Sequence, residues 1–144
     1  MLRQVCTKPV VTVSAVTPIS EAARLMHDRN IGAVVVVNGS RPRGILTDRD
    51  IAMAVAAEGW RPSTHVGEIM HANPAVIRED QGIFDAVKML AEHGVRRLPV
   101  VDAAGQLTGI VALDDVLMLL GAEMGQVAAA LSRELGRSGE VVVH

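Results

Sequence analysis

The turn that ends at Asp50 carries the residue types in this chain best suited to chemistry. Thr47 and Asp50 are three residues apart after the apolar residues Ile45 and Leu46, and apolar residues resume at Ile51. A Thr-x-x-acid pattern is typical of a helix capping box, in which the hydroxyl accepts a hydrogen bond from a backbone N–H and the carboxylate caps in return. The pattern predicts a strand, a tight turn and the start of a helix.

The same turn would also suit a nucleotide. Free N–H groups at the start of a helix attract phosphate, and Arg49 would add a charge-assisted donor. A carboxylate at Asp50 would repel phosphate, but it suits a pair of sugar hydroxyls, as the acidic residue of dinucleotide-binding folds does. One copy of the turn leaves both interpretations open, a structural cap and a ligand site.

A second copy of the turn, Gly109–Asp115, shifts the balance toward a ligand site. It keeps the glycine, an apolar pair and the last aspartate, Asp115. Ala112 replaces the threonine and Asp114 replaces the arginine, so the second turn loses a hydroxyl and exchanges a cation for an anion. We therefore expect the cleft at Asp50 to bind an anionic nucleotide more tightly than the cleft at Asp115, because a phosphate would be attracted at one and repelled at the other.

Both turns belong to an internal duplication. Thr12-Val13 matches Val76-Ile77, and Asn30–Val37 matches Gly94–Val101 at the same separation. Each copy has the pattern of a short strand, an amphipathic helix, a β-branched strand, a return strand and a second helix. The duplication predicts an α/β (α+β) fold of two motifs, each a small three-stranded sheet with two helices, packed about a pseudo-two-fold axis.

The domain boundaries follow from the repeat. We predict a first motif over residues 1–60, with an N-terminal linker at 2–9, and a second motif over residues 61–121. Residues 122–144 are predicted to form a further helix, to about Leu135, and then a loose tail from Arg137. Asp80 is the predicted N-cap of the second amphipathic helix.

Two predicted helices are apolar almost all round and suggest a subunit interface. They run from Asp50 to about Ala57 and from Asp115 to Leu120. A monomer would leave both with exposed apolar stripes, and large exposed patches are rare in soluble monomers. We therefore predict a homodimer.

Each half resembles the cystathionine-β-synthase (CBS) motif, and the tandem resembles a CBS pair, or Bateman module, in the form of a stand-alone CBS domain-containing protein. In the first half the resemblance lies in Pro9–Val13, Ala22, Ile31–Val37 and Gly44–Asp50. In the second half it lies in Pro74–Ile77, Ala86, Val95–Asp102 and Gly109–Asp115.

The resemblance implies a function. CBS pairs bind adenosine compounds (AMP, ADP, ATP or S-adenosylmethionine) in composite clefts between the two motifs, and most of them regulate an enzyme or a transporter. We expect a non-catalytic regulatory module that requires no cofactor, takes such a compound as its ligand and acts on an unidentified protein partner. The alternative is a purely structural dimerisation module with empty clefts.

The resemblance also implies two sets of binding residues. The first site would have Asp50 on the ribose, Thr47 and Arg49 near ribose or phosphate, and Arg96 or Arg97 toward the phosphate. Its adenine wall would be formed by Val76, Val95, Leu98 and Pro99. The second, weaker site would have Asp115 on the ribose and a wall formed by Thr12, Ile31, Gly32, Ala33 and Val34. Arg96 and Arg97 are adjacent on a predicted strand and point to opposite faces, so two surface charges remain an alternative to an anion contact.

Composition narrows the classes of partner. The 144 residues are 49% hydrophobic, with net charge −2, one Trp, one Phe and no Tyr. An aromatic-poor chain without a basic field is poorly suited to nucleic acid or to an anionic membrane. No apolar run reaches about 18 residues, so no membrane span is expected. The first residues lack the apolar core of a signal peptide, which favours a cytoplasmic location.

The sequence offers little for catalysis or metal binding. The five histidines and the single cysteine have no metal-ligand spacing. The chain has no Walker A loop, GxGxxG or GxSxG motif. We therefore expect neither a metal site nor an enzyme. Cys6 occupies the position equivalent to Met70, which favours a packing role for the thiol.

We predict that the protein does not hydrolyse ATP or other nucleotides, because nothing in the sequence supplies a water-activating base beside a metal clamp. Phosphate release from highly purified protein should stay at the buffer background. Turnover above that background, abolished by Asp50→Ala, would contradict the prediction.

Overall fold

The computed structural model describes residues 1–138, with side chains to residue 135. It has two small sheets and four α-helices, which confirms the predicted mixed fold class, but the first sheet has four strands rather than the predicted three, because the short strand His71–Ala72 adds to its edge. The first half contains β1 (Thr12–Val13), α1 (Ile19–Arg29), β2 (Ala33–Asn38), β3 (Arg41–Thr47) and α2 (Asp48–Ala52). After a short β4 (His71–Ala72), the second half contains β5 (Ile77–Arg78), α3 (Ile83–His93), β6 (Arg97–Val101), β7 (Leu107–Ala112) and α4 (Leu113–Ser138).

The strand pairings repeat between the halves. β1 runs parallel to β2, and β2 is antiparallel to β3. β5, β6 and β7 are arranged in the same way. The register shifts between Val36 and Val37 in one sheet and between Val100 and Val101 in the other, which are matched positions. The duplication seen in the sequence is therefore a duplication of structure down to the irregularities.

Each half has its own aliphatic core. The first includes Val13, Ile19, Val34 and Leu46, and the second includes Ile77, Leu98, Val111 and Val116. Val35 is also completely buried, although alternate residues of a strand point to opposite faces. A strand buried on both faces accounts for the continuous β-branched run in β2.

The two cores are completed by exchanged segments of chain. Leu2, in a short 3₁₀-helix at residues 2–4, is fully buried in the core of the second half. Its N–H donates to the carbonyl of Gln81 at 2.8 Å. Val66, at the matched position in the second repeat, is fully buried in the core of the first half. Two residues of the predicted linker at 2–9, Leu2 and Cys6, therefore pack in or against the core of the second half, and Val66, which follows the predicted boundary at 60, packs in the core of the first half.

Sulfur-bearing side chains of the exchanged segments pack against matched glycines. Met70 lies against Gly44 in β3, and Cys6 lies against Gly109 in β7. A Cβ at either glycine would collide with the facing sulfur. Burial raises the pKa of the Cys6 thiol, which disfavours the thiolate and agrees with a packing role.

Several predicted helix bounds were wrong. The N-cap of α3 is Gly82 rather than Asp80, because the Asp85 carboxylate accepts a hydrogen bond from the Gly82 N–H at 3.0 Å. The helix after the first turn is α2 followed by a π-helical turn, Met53–Ala57. The two helices predicted on either side of Gly121 are one continuous helix, α4, which is described as far as Ser138. The rest of the predicted tail lies outside the described residues.

The length of α4 changes the membrane prediction. Among residues 1–138, the segment Leu113–Leu135 is long and apolar enough, by length and composition, to cross a bilayer, and only 6% of its most apolar 18 residues are buried. In the sequence this long apolar helix is not evident, because its apolar residues come in two shorter runs, which one continuous helix joins. The segment qualifies as a membrane-spanning helix by its length and composition only.

We predict that Gly109→Ala lowers the free energy of unfolding by about 1–3 kcal/mol, because the new methyl group would overlap the Cys6 sulfur. Cys6 is short and cannot swing away while Leu2 anchors its segment. Gly121→Ala is the matched control, since it adds a methyl group to a helix with nothing within 4 Å, and it should leave stability unchanged or raise it by up to about 1 kcal/mol. Equal effects of the two substitutions in urea denaturation would refute this account.

Candidate functional site

The first turn forms the predicted capping box. Thr47 is the N-cap of α2, and its hydroxyl accepts a hydrogen bond from the Asp50 N–H at 3.1 Å. The Asp50 Oδ2 accepts one from the Thr47 N–H at 2.9 Å. The structural interpretation of this pattern is therefore confirmed, and it leaves Oδ1 of Asp50 as the oxygen available for a further contact.

That second oxygen is held by His71. The Nε2 atom of His71, on β4, lies 3.0 Å from Oδ1 of Asp50. The histidine side chain is 75% exposed and the aspartate side chain 19% exposed. A sugar hydroxyl approaching Asp50 must share or displace this contact. Sequence reasoning missed His71, although its position matches that of Thr7 in the other repeat.

The second turn presents its carboxylate differently. Asp115, in the first turn of α4, is exposed and makes no side-chain hydrogen bond or ion pair to any residue in the described part of the chain. It opens on a cavity of about 450 Å³. The other lining residues are Val5, Thr7, Met118, Leu119 and Ala122. The cavity thus lies between the exchanged N-terminal segment and the second and third turns of α4.

The predicted wall of the Asp115 cleft does not line this cavity. Thr12 instead lines a separate cavity of about 310 Å³ between the halves, together with Ser40 and Thr108. Val34 and Leu98, predicted for opposite clefts, are both fully buried in the hydrophobic cores. They are unable to line an open cleft, because their side chains point to the inner face of each sheet. Of the other predicted wall residues, Pro99 is buried, Val76 and Val95 are exposed, and Ile31 packs against the first core.

The two adjacent arginines lie in different surroundings. Arg96 Nη2 lies 3.7 Å from Asp114 Oδ1, so this guanidinium is at the second turn rather than beside Asp50. Both of these side chains are about three-quarters exposed, and such a pair contributes about 0–1 kcal/mol. Arg49, the cation of the first turn, is exposed.

Arg97 reaches across to the first half. A methyl group at Gly32 would lie 3.6 Å from Nη2 of Arg97 and 3.4 Å from Oδ2 of Asp48. Gly32 leads into β2 and Arg97 begins β6, so the structure brings together the starts of two matched strands. Gly32, predicted for the second cleft, and Arg97, predicted for the first, therefore lie side by side. A side chain larger than a methyl group at position 32 would crowd the Arg97 guanidinium.

The fold and the repeated turns agree with the family comparison, and the chain belongs to the CBS domain family. The family model for the CBS domain matches residues 2–57 and 66–122. Both matches include the exchanged segments that complete the opposite core. Tandem domains of this kind are generally regulatory, non-catalytic modules.

Relatives match over most of the chain. The CBS domain-containing protein YhcV of Bacillus subtilis is 41% identical over 115 residues, which cover 80% of this chain and 81% of that protein. The uncharacterized protein MK0525 of Methanopyrus kandleri is 36% identical over 118 residues, which cover 81% of this chain but only 60% of that protein.

A similar solved structure carries ligands. It is the CBS domain pair of protein MJ0100, in complex with 5′-methylthioadenosine and S-adenosyl-L-methionine. The TM-score is 0.76 at 28% identity, and the match covers 85% of this chain and 96% of that one. Both of those ligands are adenosine derivatives.

We predict that Thr47→Ala lowers the free energy of unfolding by about 0.5–2 kcal/mol through loss of the N-cap, even without any ligand. Thr47→Ser keeps the hydroxyl and should retain most of the stability. Equilibrium unfolding of both variants in urea measures the difference. An Ala variant as stable as the wild type would mean that the capping box contributes nothing.

Proposed function

We propose that this chain is a non-catalytic regulatory module that binds an adenosine compound through its two CBS motifs and thereby changes its fit to a protein partner. AMP, ADP, ATP and S-adenosylmethionine share the adenosine group that the chain would recognise. The observation that carries the proposal is Asp115, an exposed carboxylate that lies at the mouth of a largely apolar cavity and has no hydrogen-bond or ion-pair partner among residues 1–138.

The chemistry of that cavity fits a nucleoside. Its volume of about 450 Å³ lies within the usual range for small-molecule sites. Val5, Met118 and Leu119 provide apolar surface for a base, and Thr7 provides a hydroxyl. The Asp115 carboxylate would accept hydrogen bonds from the ribose hydroxyls, which is the role of acidic residues in dinucleotide-binding folds.

Cations near the starts of β2 and β6 would favour a phosphate. Arg97 lies beside Gly32 of the other half, and its guanidinium makes no ion pair within 4.0 Å among the described residues. Arg49 is exposed at the first turn. A nucleotide phosphate near either guanidinium would gain a charge-assisted contact. The ligands of the MJ0100 pair support an adenosine derivative as the compound class.

We rank the Asp115 cleft above the Asp50 cleft, which reverses the expectation from the sequence. That expectation compared only the charges of the two turns. Asp50 has both oxygens engaged, one by its own cap and one by His71, and a ribose would have to replace the second contact. Asp115 has no such competing contact within the described part of the chain, so a ribose would not have to displace a protein hydrogen bond there.

The structural dimerisation module stays the alternative. In that case the clefts would be empty, and the matched aspartates Asp50 and Asp115 would have only a structural role at the starts of two helices. The cytoplasmic location and the regulated partner expected from the sequence also stay predictions.

We predict that Asp115→Ala weakens AMP binding at least tenfold in isothermal titration calorimetry. Loss of hydrogen bonds to a charged acceptor corresponds to about 1.5–3 kcal/mol each, and about 1.4 kcal/mol is a factor of ten. Asp50→Ala should have a smaller effect on the tighter site. His71→Ala should strengthen binding at Asp50 by a few-fold, because it frees one carboxylate oxygen.

Asp114→Ala is the matched control, since it removes a neighbouring exposed carboxylate that the proposal places outside the ribose contact. It should leave AMP binding unchanged or slightly stronger. Loss of binding in Asp50→Ala but not in Asp115→Ala would restore the ranking expected from the sequence. If AMP, ADP, ATP and S-adenosylmethionine all fail to bind the wild-type protein, the structural alternative holds.

A further inference from the structure

The backbone N–H groups at the start of α2 are already engaged by the protein. The N–H of Asp48 donates to the carbonyl of Gly32 at 3.0 Å, and the N–H of Arg49 donates to Oδ1 of Asp48 at 2.8 Å. The N–H of Asp50 donates to the hydroxyl of Thr47. Free N–H groups are what make the start of a helix attractive to phosphate. The first turn therefore offers a phosphate less than its sequence pattern suggests.

A carboxylate also lies near the cation that would hold a phosphate at this cleft. Oδ2 of Asp48 and Nη2 of Arg97 are 3.4 Å and 3.6 Å from the point that a methyl group at Gly32 would occupy. Because both atoms surround that one point, they are at most about 7 Å apart, which is less than the Debye length of about 8 Å at physiological ionic strength. Asp48 therefore offsets the attraction of Arg97 for an anion.

The Asp48 carboxylate is held in this place. Its Oδ1 accepts the hydrogen bond from the Arg49 N–H, while its Oδ2 faces Gly32. An arriving phosphate could push the carboxylate aside only by breaking the bond to Oδ1. The matched position in the second half is Leu113, which packs against the core there. A carboxylate at this position is thus a feature of the first turn alone.

At the second turn the neighbouring cation also has an acidic partner. Nη2 of Arg96 lies 3.7 Å from Oδ1 of Asp114, the residue before Asp115. Both side chains are largely exposed, so the offset of charge is only partial. Residues 112–115 contain two aspartates and no cation. A phosphate at this turn would therefore meet a surplus of negative charge.

We propose that the chain selects an adenosine derivative that carries no phosphate, and that Asp48 is the residue that disfavours phosphate at the first cleft. This preference rests on the function proposed above and narrows its class of ligand. A neutral 5′ substituent, as in 5′-methylthioadenosine, would lose nothing beside Asp48. A cationic one, as in the sulfonium group of S-adenosylmethionine, would be attracted. AMP, ADP and ATP would be repelled increasingly as phosphates are added.

A contact between a phosphate and Arg97 or Arg49 would accordingly be weaker than the charge of either guanidinium suggests. Arg49 stands between Asp48 and Asp50 in the chain, and Arg97 lies near Asp48. These four side chains carry two positive and two negative charges, which leaves no surplus for a phosphate monoester. The ribose contact at Asp50 needs no such surplus, because the carboxylate would accept hydrogen bonds from neutral hydroxyls.

The test is isothermal titration calorimetry of the full chain with adenosine, 5′-methylthioadenosine, S-adenosylmethionine, AMP and ATP. The wild type should bind the three phosphate-free compounds more tightly than AMP, and AMP more tightly than ATP. Asp48→Asn should raise the affinity for AMP about threefold to tenfold, because the amide keeps an acceptor for the Arg49 N–H and removes the charge. It should weaken S-adenosylmethionine binding and leave adenosine binding within about twofold. The gain for AMP should disappear in the double variant Asp48→Asn/Asp50→Ala, which assigns it to the first cleft.

Glu92→Gln is the matched control, since it removes the same charge from an exposed position on α3, where Oε1 of Glu92 lies 3.9 Å from Nζ of Lys88. It should leave all five affinities unchanged. Tighter binding of AMP or ATP than of the phosphate-free compounds by the wild type would overturn the proposed preference. So would an unchanged ratio of AMP to adenosine affinity in Asp48→Asn, or an equal gain for AMP in Glu92→Gln. If none of the five compounds binds either the wild type or Asp48→Asn, the adenosine-binding function itself fails and the preference fails with it.

Discussion

Burial of Leu2 and Val66 in each other's half is the interaction on which the rest of this structure depends. Each half contributes a segment that precedes its own first strand to the core of the opposite half. Neither half has a complete core without the other, so the two repeats are expected to fold as one cooperative unit. The exchange also fixes what lies beside each turn, since His71 and Thr7 arrive on these segments.

The same exchange makes two similar turns unequal. His71 reaches Asp50 and satisfies the oxygen that the capping box leaves open. Thr7, at the matched position, lines the cavity beside Asp115, and that carboxylate has no side-chain hydrogen bond or ion pair with any residue that the structure describes. The two matched carboxylates therefore differ among the described residues, since Asp50 is engaged by His71 and Asp115 is open. This asymmetry suits a module in which one cleft responds to a ligand before the other.

Close packing between exchanged segments and strands explains the glycine of each turn. Gly44 and Gly109 make room for sulfur atoms from the opposite segment, so their role is contact rather than chain flexibility. Each glycine lies only a few residues before its aspartate. The short strands that pack against the exchanged segments therefore lead directly into the two turns.

Sequence by itself determined the duplication, the strand and helix order, the capping box at Thr47 and the family. These features rest on local patterns, namely repeated spacing, side-chain periodicity and a three-residue hydrogen-bonded turn, which need no knowledge of distant contacts. Only the tertiary structure decided that Leu98 and Val34 point into cores, that Arg96 lies at Asp114, and that His71 occupies Asp50. Each of these depends on which face of a strand is covered, or on segments far apart in the chain meeting in space. Sequence spacing leaves both undetermined, because they follow from how the two halves exchange their first residues.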